Sequence, residues 1–279
     1  MWLDVNGQRA YAYTGGRPFD PSLPVLAFVH GAQHDHSVWI LQTRYLAHHG
    51  YSVLAFDLPG HGRSAGVPLA TIEQMADWVL AALTAAGAQV ATIVGHSMGS
   101  LIALEAAARA PTRVERIALV GSVYPMAVSD ALLSAARDDE QRAFEMINRW
   151  SHWQVDNSPA CPAPGFSIWH QNLRLMQRQK PGVLLNDFAA CNAYSGGEAA
   201  ADALACPTLF VLGRRDLMTP PRAARPLIER CAAALAARSL PPPTVVEIPD
   251  CGHALMSEQP AAVLNALKTF LAKRVKRAA

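Results

Sequence analysis

The pentapeptide Gly95-His96-Ser97-Met98-Gly99 constrains this chain more than any other segment. It stands between an apolar run at 90–94 and an alanine-rich stretch of helical periodicity at 101–109. Strand pattern before the serine and helix pattern after it predict a sharp strand-to-helix turn, with the hydroxyl raised above a sheet. The serine of such a turn sits at a strained backbone angle. Glycines two residues to either side let strand and helix pass without side-chain collisions. A hydroxyl presented in this way is a candidate nucleophile, and the rest of the chain must supply whatever activates it.

The order of elements around the turn fits an α/β domain. Trp2–Val5 and 9–14 flank Asn6-Gly7, a hairpin turn. Val25–Val29 is a continuous apolar run, as expected of a strand buried on both faces. Residues 38–49 read as a helix closed by Gly50, and 51–56 as the next strand. Thr71-Ile72-Glu73-Gln74 opens a helix as a capping box. Strand 90–94, the turn, its helix and strand 116–120 follow. The alternation resumes at 208–212, then a helix after Pro220-Pro221, strand Thr244–Ile248 and a last helix from Pro260. This pattern predicts a mostly parallel, doubly wound sheet with helices on both faces and an N-terminal hairpin. Between 122 and 203 no buried strand is legible. That stretch is expected to form a helical lid over the C-terminal ends of the strands, where open α/β sheets place their sites. The expected division is a core of 1–121 and 204–279 with a lid of 122–203.

Composition narrows the function. Of 279 residues, 51% are apolar and 16% charged, enough for a large core and too few charges for disorder. A net charge of +2 gives no reason to expect a nucleic-acid partner. The basic residues Lys268, Lys273, Arg274, Lys276 and Arg277 suit the C-terminal end of the last helix. No run of about 18 apolar residues is uninterrupted, so no membrane span is expected. Met1-Trp2-Leu3-Asp4 lacks a basic n-region and an apolar h-region, so no signal peptide is expected. Cys161, Cys191, Cys206, Cys231 and Cys251 are odd in number and widely spaced, which suits free thiols in a reducing cytoplasm. The oligomeric state stays open between monomer and homodimer.

A serine hydroxyl needs a base to take its proton, and the base needs an acid to orient it. His253 is the only histidine after residue 170, in a loop just beyond strand Thr244–Ile248. Strand 208–212 runs into Gly213-Arg214-Arg215-Asp216, which puts Asp216 in the neighbouring loop. Asp250, three residues before His253, is better placed to brace its own loop. Backbone N–H groups for a developing oxyanion are expected from Met98 and from Ala32, in the loop His30-Gly31-Ala32-Gln33. His30, His34, Asp35 and His36, with Asp57 and His61 further on, have the composition of a metal site. Their spacing matches neither His-Glu-x-x-His nor a Cys/His zinc pattern, and no metal is expected. His30 reads as a brace for the oxyanion loop, and Asp35, His36 and Trp39 as the fixture of the next helix start. Gln33 and His34 are candidate substrate contacts. The 57–64 segment reads as a tight turn with architectural side chains.

Together HGAQHDHSVW (30–39), DLPGHGRS (57–64), GHSMGS (95–100), LGRRDLMTP (212–220) and CGHALMSEQP (251–260) resemble the α/β-hydrolase superfamily. The resemblance covers nearly the whole chain outside 122–203. It implies Ser97, Asp216 and His253 as a catalytic triad, Ala32 and Met98 as the oxyanion hole, and no cofactor. The superfamily's other acid position, after the strand that follows the elbow helix, reads Gly121-Ser122-Val123 and holds no carboxylate. Serine at 97 disfavours the dehalogenase and epoxide hydrolase branches, which use aspartate there. The chain looks like the lidded esterase and C–C hydrolase branches. In the lid, Trp150, Trp153, Phe166, Trp169, Met146 and Met176 would supply an apolar surface, and Arg174, Asn186 and Asn192 candidate polar contacts. The expectation is a cytoplasmic serine hydrolase of a small or medium carboxylic ester. A lactonase, thioesterase or C–C hydrolase with the same triad, a ligand receptor with a vestigial triad, and a lyase stay open.

Overall fold

Val25, Ala27 and Val29 pack into one apolar cluster while Leu26 and Phe28, on the alternate positions, pack into another. The central strand is thus apolar throughout because side chains of period two meet a core on each face. The computed structural model describes residues 1–153 and 167–272. Cys161, Phe166, Lys273, Arg274, Lys276 and Arg277 lie outside the described residues.

The sheet has eight strands in the order β1-β2-β4-β3-β5-β6-β7-β8. They are β1 Trp2–Val5, β2 Gln8–Tyr13, β3 Val25–Val29, β4 Ser52–Phe56, β5 Ala91–His96, β6 Val114–Val120, β7 Thr208–Gly213 and β8 Thr244–Ile248. β1 and β2 form the expected antiparallel hairpin, with Val5 opposite Gln8 across Asn6 and Gly7. Both turn residues have positive φ, at 54° and 76°, as a two-residue hairpin turn demands. β2 joins β4 antiparallel, and from β4 onward every pairing is parallel. The doubly wound, mostly parallel sheet read from the sequence is therefore the observed architecture.

The helices are α1 Ile40–Ala47, α2 Ile72–Ala85, α3 Met98–Arg109, α4 Asp130–Asp138, α5 Glu140–Ser151, α6 Ile168–Gln177, α7 Val183–Ala193, α8 Gly197–Ala203, α9 Pro221–Ala236, α10 Leu255–Glu258 and α11 Pro260–Ala272. Residues of α2, α3, α8 and α9 belong to one core cluster, and those of α1 and α11 to the other, so helices cover both faces. The single helix expected over 38–49 is instead a 3-10 turn, His36–Trp39, followed by α1. Asp35 starts that turn by accepting from the Ser37 N–H, an Asx-type cap that competes with a continuous helix.

Among the described residues, 122–203 contains helices and no strand. A third apolar cluster, built on Leu132, Phe144, Ile147, Met176, Leu184 and Phe188, unites α4 to α7 and rests on Ala32 and Met218 of the strand-end loops. Ala200, Ala201 and Leu204 of the α8 region pack instead into the larger core cluster. Helices α4 to α7 thus overhang the strand-end loops, with Ala190 and Cys191 of α7 also reaching the larger core cluster. No helix among the described residues is long and apolar enough to cross a membrane.

Candidate active site

Ser97 joins β5 to α3 at φ 52° and ψ −119°. Its N–H donates to the Val120 carbonyl on the adjacent strand at 2.9 Å, which pins the turn to the sheet. The flanking glycines are required by backbone. A β-carbon on Gly95 would collide with the Gly99 carbonyl, and one on Gly99 would collide with the Val29 carbonyl of β3. Met98 is the first residue of α3, so its N–H belongs to the open, electropositive end of that helix.

β7 and β8 deliver the other two groups. Asp216 and His253 are almost fully buried, at 2% and 6% exposure. His253 Nδ1 donates to Asp216 Oδ2 at 2.8 Å. Thr219 Oγ1 donates to the same oxygen at 2.7 Å, and the Met218 and Thr219 N–H groups both donate to Oδ1 at 2.8 Å. Burial opposes ionisation of Asp216, but the imidazole and these hydrogen bonds outweigh it and hold the carboxyl below its ordinary range. A carboxylate can only accept, so Nδ1 carries a proton and Nε2 of a neutral His253 is left as the basic nitrogen. The His253 carbonyl accepts from His96 Nε2 at 2.9 Å, tying the loop to the residue before the serine. Gly252 N–H and Trp153 N–H both donate to Glu258, at 2.7 Å each, which fixes the histidine loop against the end of α5.

The glycine after β6 now has a physical reason. A β-carbon on Gly121 would lie 3.2 Å from both Cε1 and Nδ1 of His253. The imidazole occupies the space at the end of β6.

The loop after β3 passes close to the serine. A β-carbon on Gly31 would lie 3.0 Å from His96 Nδ1 and 3.2 Å from the Ser97 β-carbon. His30 braces the loop as expected: Nδ1 donates to the Gly31 carbonyl at 2.8 Å, and Nε2 accepts the Leu58 N–H at 3.2 Å. Burial, with His61 nearby, lowers His30 to about 4, so it is neutral. Asp35, His36 and Asp57 approach one another closely. Their ligand atoms are engaged within the protein: Asp35 accepts from Arg178 and Gln179, and Asp57 from His36 and the Arg63 N–H. This is a salt-bridged fixture of the helix start and the 57–64 turn.

Two cavities meet this region. One, of about 360 Å³, is lined by Ser97, Ala32, Leu132, Trp150, Phe188 and Met218 among others, and no charged side chain is among the described residues that line it. The second, of about 720 Å³, is lined by His253, His96, His34, Asn172, Arg174 and Leu41 among others. His34 donates from Nε2 to Asn172 Oδ1 at 2.9 Å, and burial lowers it to about 4. Burial, reinforced by His253 and His34, also puts His96 well below its ordinary value.

Several expected contacts fall elsewhere. Gln33 is buried and turned to the overhanging helices, where its Nε2 donates to the Met176 carbonyl at 3.0 Å, so it lines neither cavity. Trp153 lies at the surface beneath the Arg215 guanidinium, 4.3 Å from its ring centre. Trp169 packs edge-on to His170 and is absent from both linings. Arg174 is exposed at the rim of the larger cavity and holds Gln177. Asn186 donates to the Leu69 carbonyl, and Asn192 accepts the Val128 N–H. The buried Cys251 thiol is pushed well above its ordinary value, chiefly by burial. Thr219, Glu258 and Asp187 carry no signal in the sequence: Glu258 and Asp187 accept backbone N–H groups far along the chain, from Trp153 and Gln33, and a threonine three residues after Asp216 has no distinguishing pattern.

A model of the alpha/beta hydrolase family matches residues 26–266. The chain belongs to that family. Among curated relatives, this alpha/beta hydrolase is 31% identical over 223 residues to the pimeloyl-[acyl-carrier protein] methyl ester esterase of Chromobacterium violaceum, covering 77% of this chain and 79% of that one. It is 38% identical over 136 residues to the dihydrolipoyllysine-residue acetyltransferase component of the acetoin cleaving system of Cupriavidus necator. That match covers 48% of this chain and only 34% of the relative. Among solved structures, the enol-lactonase from Burkholderia xenovorans LB400 superposes with a TM-score of 0.81 at 22% identity, over 98% of this chain and 100% of that one.

Proposed function

We propose that this alpha/beta hydrolase cleaves a small or medium carboxylic ester through an acyl-enzyme. Ser97 Oγ attacks the acyl carbon and His253 Nε2 takes its proton. Asp216 holds the imidazole in the required tautomer, and the Ala32 and Met98 N–H groups receive the oxyanion. His253 then protonates the leaving oxygen, and a water activated by the same imidazole releases the acid. The reading is carried by the buried Asp216–His253 pair, 2.8 Å apart, at the strand ends where Ser97 is held at positive φ. No cofactor enters this chemistry.

The cavities support an orientation. The leaving group must lie beside the histidine that protonates it, which is the larger cavity bordered by His253. The acyl group then occupies the smaller cavity beside Ser97 and Ala32, where apolar side chains such as Leu132, Trp150, Phe188 and Met218 suit an aliphatic or aryl acyl chain. Helices α4 to α7 serve as the lid. Exposed Arg174 is a weak anchor for the carboxylate a C–C hydrolase would bind, so the ester reading stands ahead of it. A lactone places the same bond over the serine, and one structural neighbour is an enol-lactonase. The buried free thiols Cys191, Cys206, Cys231 and Cys251 suit a cytoplasmic setting.

Turnover across ester, thioester, lactone and vinylogous diketone substrates tests the bond type, and Ser97→Ala tests the mechanism. Loss of p-nitrophenyl ester turnover in a folded Ser97→Ala protein is expected. Unchanged turnover would sink the proposal.

A further inference from the structure

Ala32 sits in a turn that its own sequence does not favour. The His34 N–H donates to the Gly31 carbonyl at 3.3 Å, closing a four-residue turn with Ala32 and Gln33 at its centre. Gln33, the second central residue, has φ 58°. Glycine or asparagine is the usual occupant of such a position, and a glutamine persists there only where the surroundings hold it. The restraint comes from the overhanging helices. Asp187 on α7, fully buried, accepts the Gln33 N–H at 2.9 Å through Oδ2. The same oxygen accepts from His61 Nε2 at 2.9 Å, while His61 Nδ1 donates to the Pro59 carbonyl at 3.0 Å. Both ring nitrogens donate, so His61 is an imidazolium paired with Asp187. Burial opposes that charge, but Asp187 outweighs it and raises His61 above its ordinary value. The pair thereby joins three segments: the loop after β3, the 57–64 turn and α7.

We propose that Asp187 is a positioning residue for the oxyanion hole, holding Gln33 in its left-handed conformation through the His61 pair so that the Ala32 N–H is aimed at the reacting carbonyl. This inference rests on the hydrolase reading above, in which Ala32 supplies an oxyanion donor. It makes the overhanging helices part of the catalytic geometry as well as a cover for it: displacing α7 would relax the oxyanion loop.

Asp187→Asn keeps the shape and removes the charge. Loss of one oxyanion donor costs about 10²–10³ in rate, and a misaimed donor costs less. In folded Asp187→Asn enzyme, kcat for a p-nitrophenyl ester should fall about 10–100-fold while KM moves less than about threefold. Affinity for a trifluoromethyl ketone, which forms an oxyanion on Ser97, should fall by the same factor as kcat/KM. Adding Gln33→Gly, which takes positive φ freely, should restore about three- to tenfold of the lost rate. A merely structural Asp187 would show no such rescue. Native kcat in a folded Asp187→Asn protein, or no rescue by Gln33→Gly, overturns the proposal. Ser97→Ala assayed in parallel separates the two readings: surviving turnover there overturns the hydrolase reading, whereas silent Ser97→Ala beside fully active Asp187→Asn overturns only this inference. If Asp187→Asn does not fold, hydrogen exchange of the native protein decides. A strongly protected Gln33 amide supports the restraint, and one exchanging like an exposed loop amide overturns it.

Discussion

Asp216→Asn should disable the site through a proton rather than through a lost contact. Two backbone N–H groups, from Met218 and Thr219, converge on Asp216 Oδ1 at 2.8 Å. In the variant they hold the amide oxygen there, because the amide nitrogen cannot accept from them. The NH₂ group is then forced into the place of Oδ2, facing His253 Nδ1. Nδ1 must now accept, so the proton moves to Nε2, the nitrogen that should receive the Ser97 proton. The same wrong-tautomer substitution in a serine–histidine–aspartate triad costs about 10⁴ in kcat, or about 5.5 kcal/mol of transition-state stabilisation. The Thr219 hydroxyl can rotate to accept from the new NH₂, so the fold should be nearly unaffected. Steady-state kinetics on p-nitrophenyl butyrate, with a thermal melt on the same preparation, read both quantities. A loss below about tenfold in a protein of native Tm would refute the tautomer argument, and with it the role of Asp216.

Other consequences follow from the buried groups. Burial holds His30 and His34 to about 4 in the folded protein, against about 6.5 for the free side chain. The folded state therefore binds fewer protons, and stability should be lost as the pH falls from about 6.5 towards 4, by about 3 kcal/mol per histidine at pH 4. His61 has the opposite sign: its raised value makes its contribution complete below about 6.5, so it does not drive the acid loss. Urea midpoints between pH 7 and 4.5 that stayed flat would contradict these signs. Gly99→Ala drives a β-carbon into the Val29 carbonyl and to 2.6 Å from the His30 carbonyl, backbone atoms that cannot rotate away. It should cost about 1–3 kcal/mol of stability and at least about tenfold in kcat, because α3 and the loop after β3 are forced apart. A native melt with native kcat would show that the elbow has slack.

The sequence was most legible where backbone geometry dictates residue type. The collisions met by a β-carbon at Gly95 or Gly99 explain why this turn is spelled with glycines, and the spelling located β5, α3 and Ser97. Asp216 and His253 could be read from their places in loops that follow apolar strands. The start of α1 is not legible in the sequence, because periodicity does not see the Asp35 cap that interposes a 3-10 turn. The packing of α8 has no signal in the sequence, because α8, like α4 to α7, lies between β6 and β7, and only the structure shows Ala200 and Ala201 joining the larger core cluster. Asp187 carries no local signal: its partner Gln33 is 154 residues away, and the bond uses a backbone N–H that any residue offers. For the same reason the sequence offers Gln33 as a substrate contact, whereas its side chain and amide are both committed to the overhanging helices.

The proposed mechanism requires a covalent bond between Ser97 and the acyl group. Rapid acid quench of the enzyme during turnover of a slowly hydrolysed p-nitrophenyl ester, followed by peptide mass spectrometry, looks for it directly. The acyl mass is expected on the peptide containing Ser97, together with a burst of p-nitrophenol, and neither in Ser97→Ala. Steady turnover with no acyl mass at Ser97, or with that mass on another residue, would contradict it.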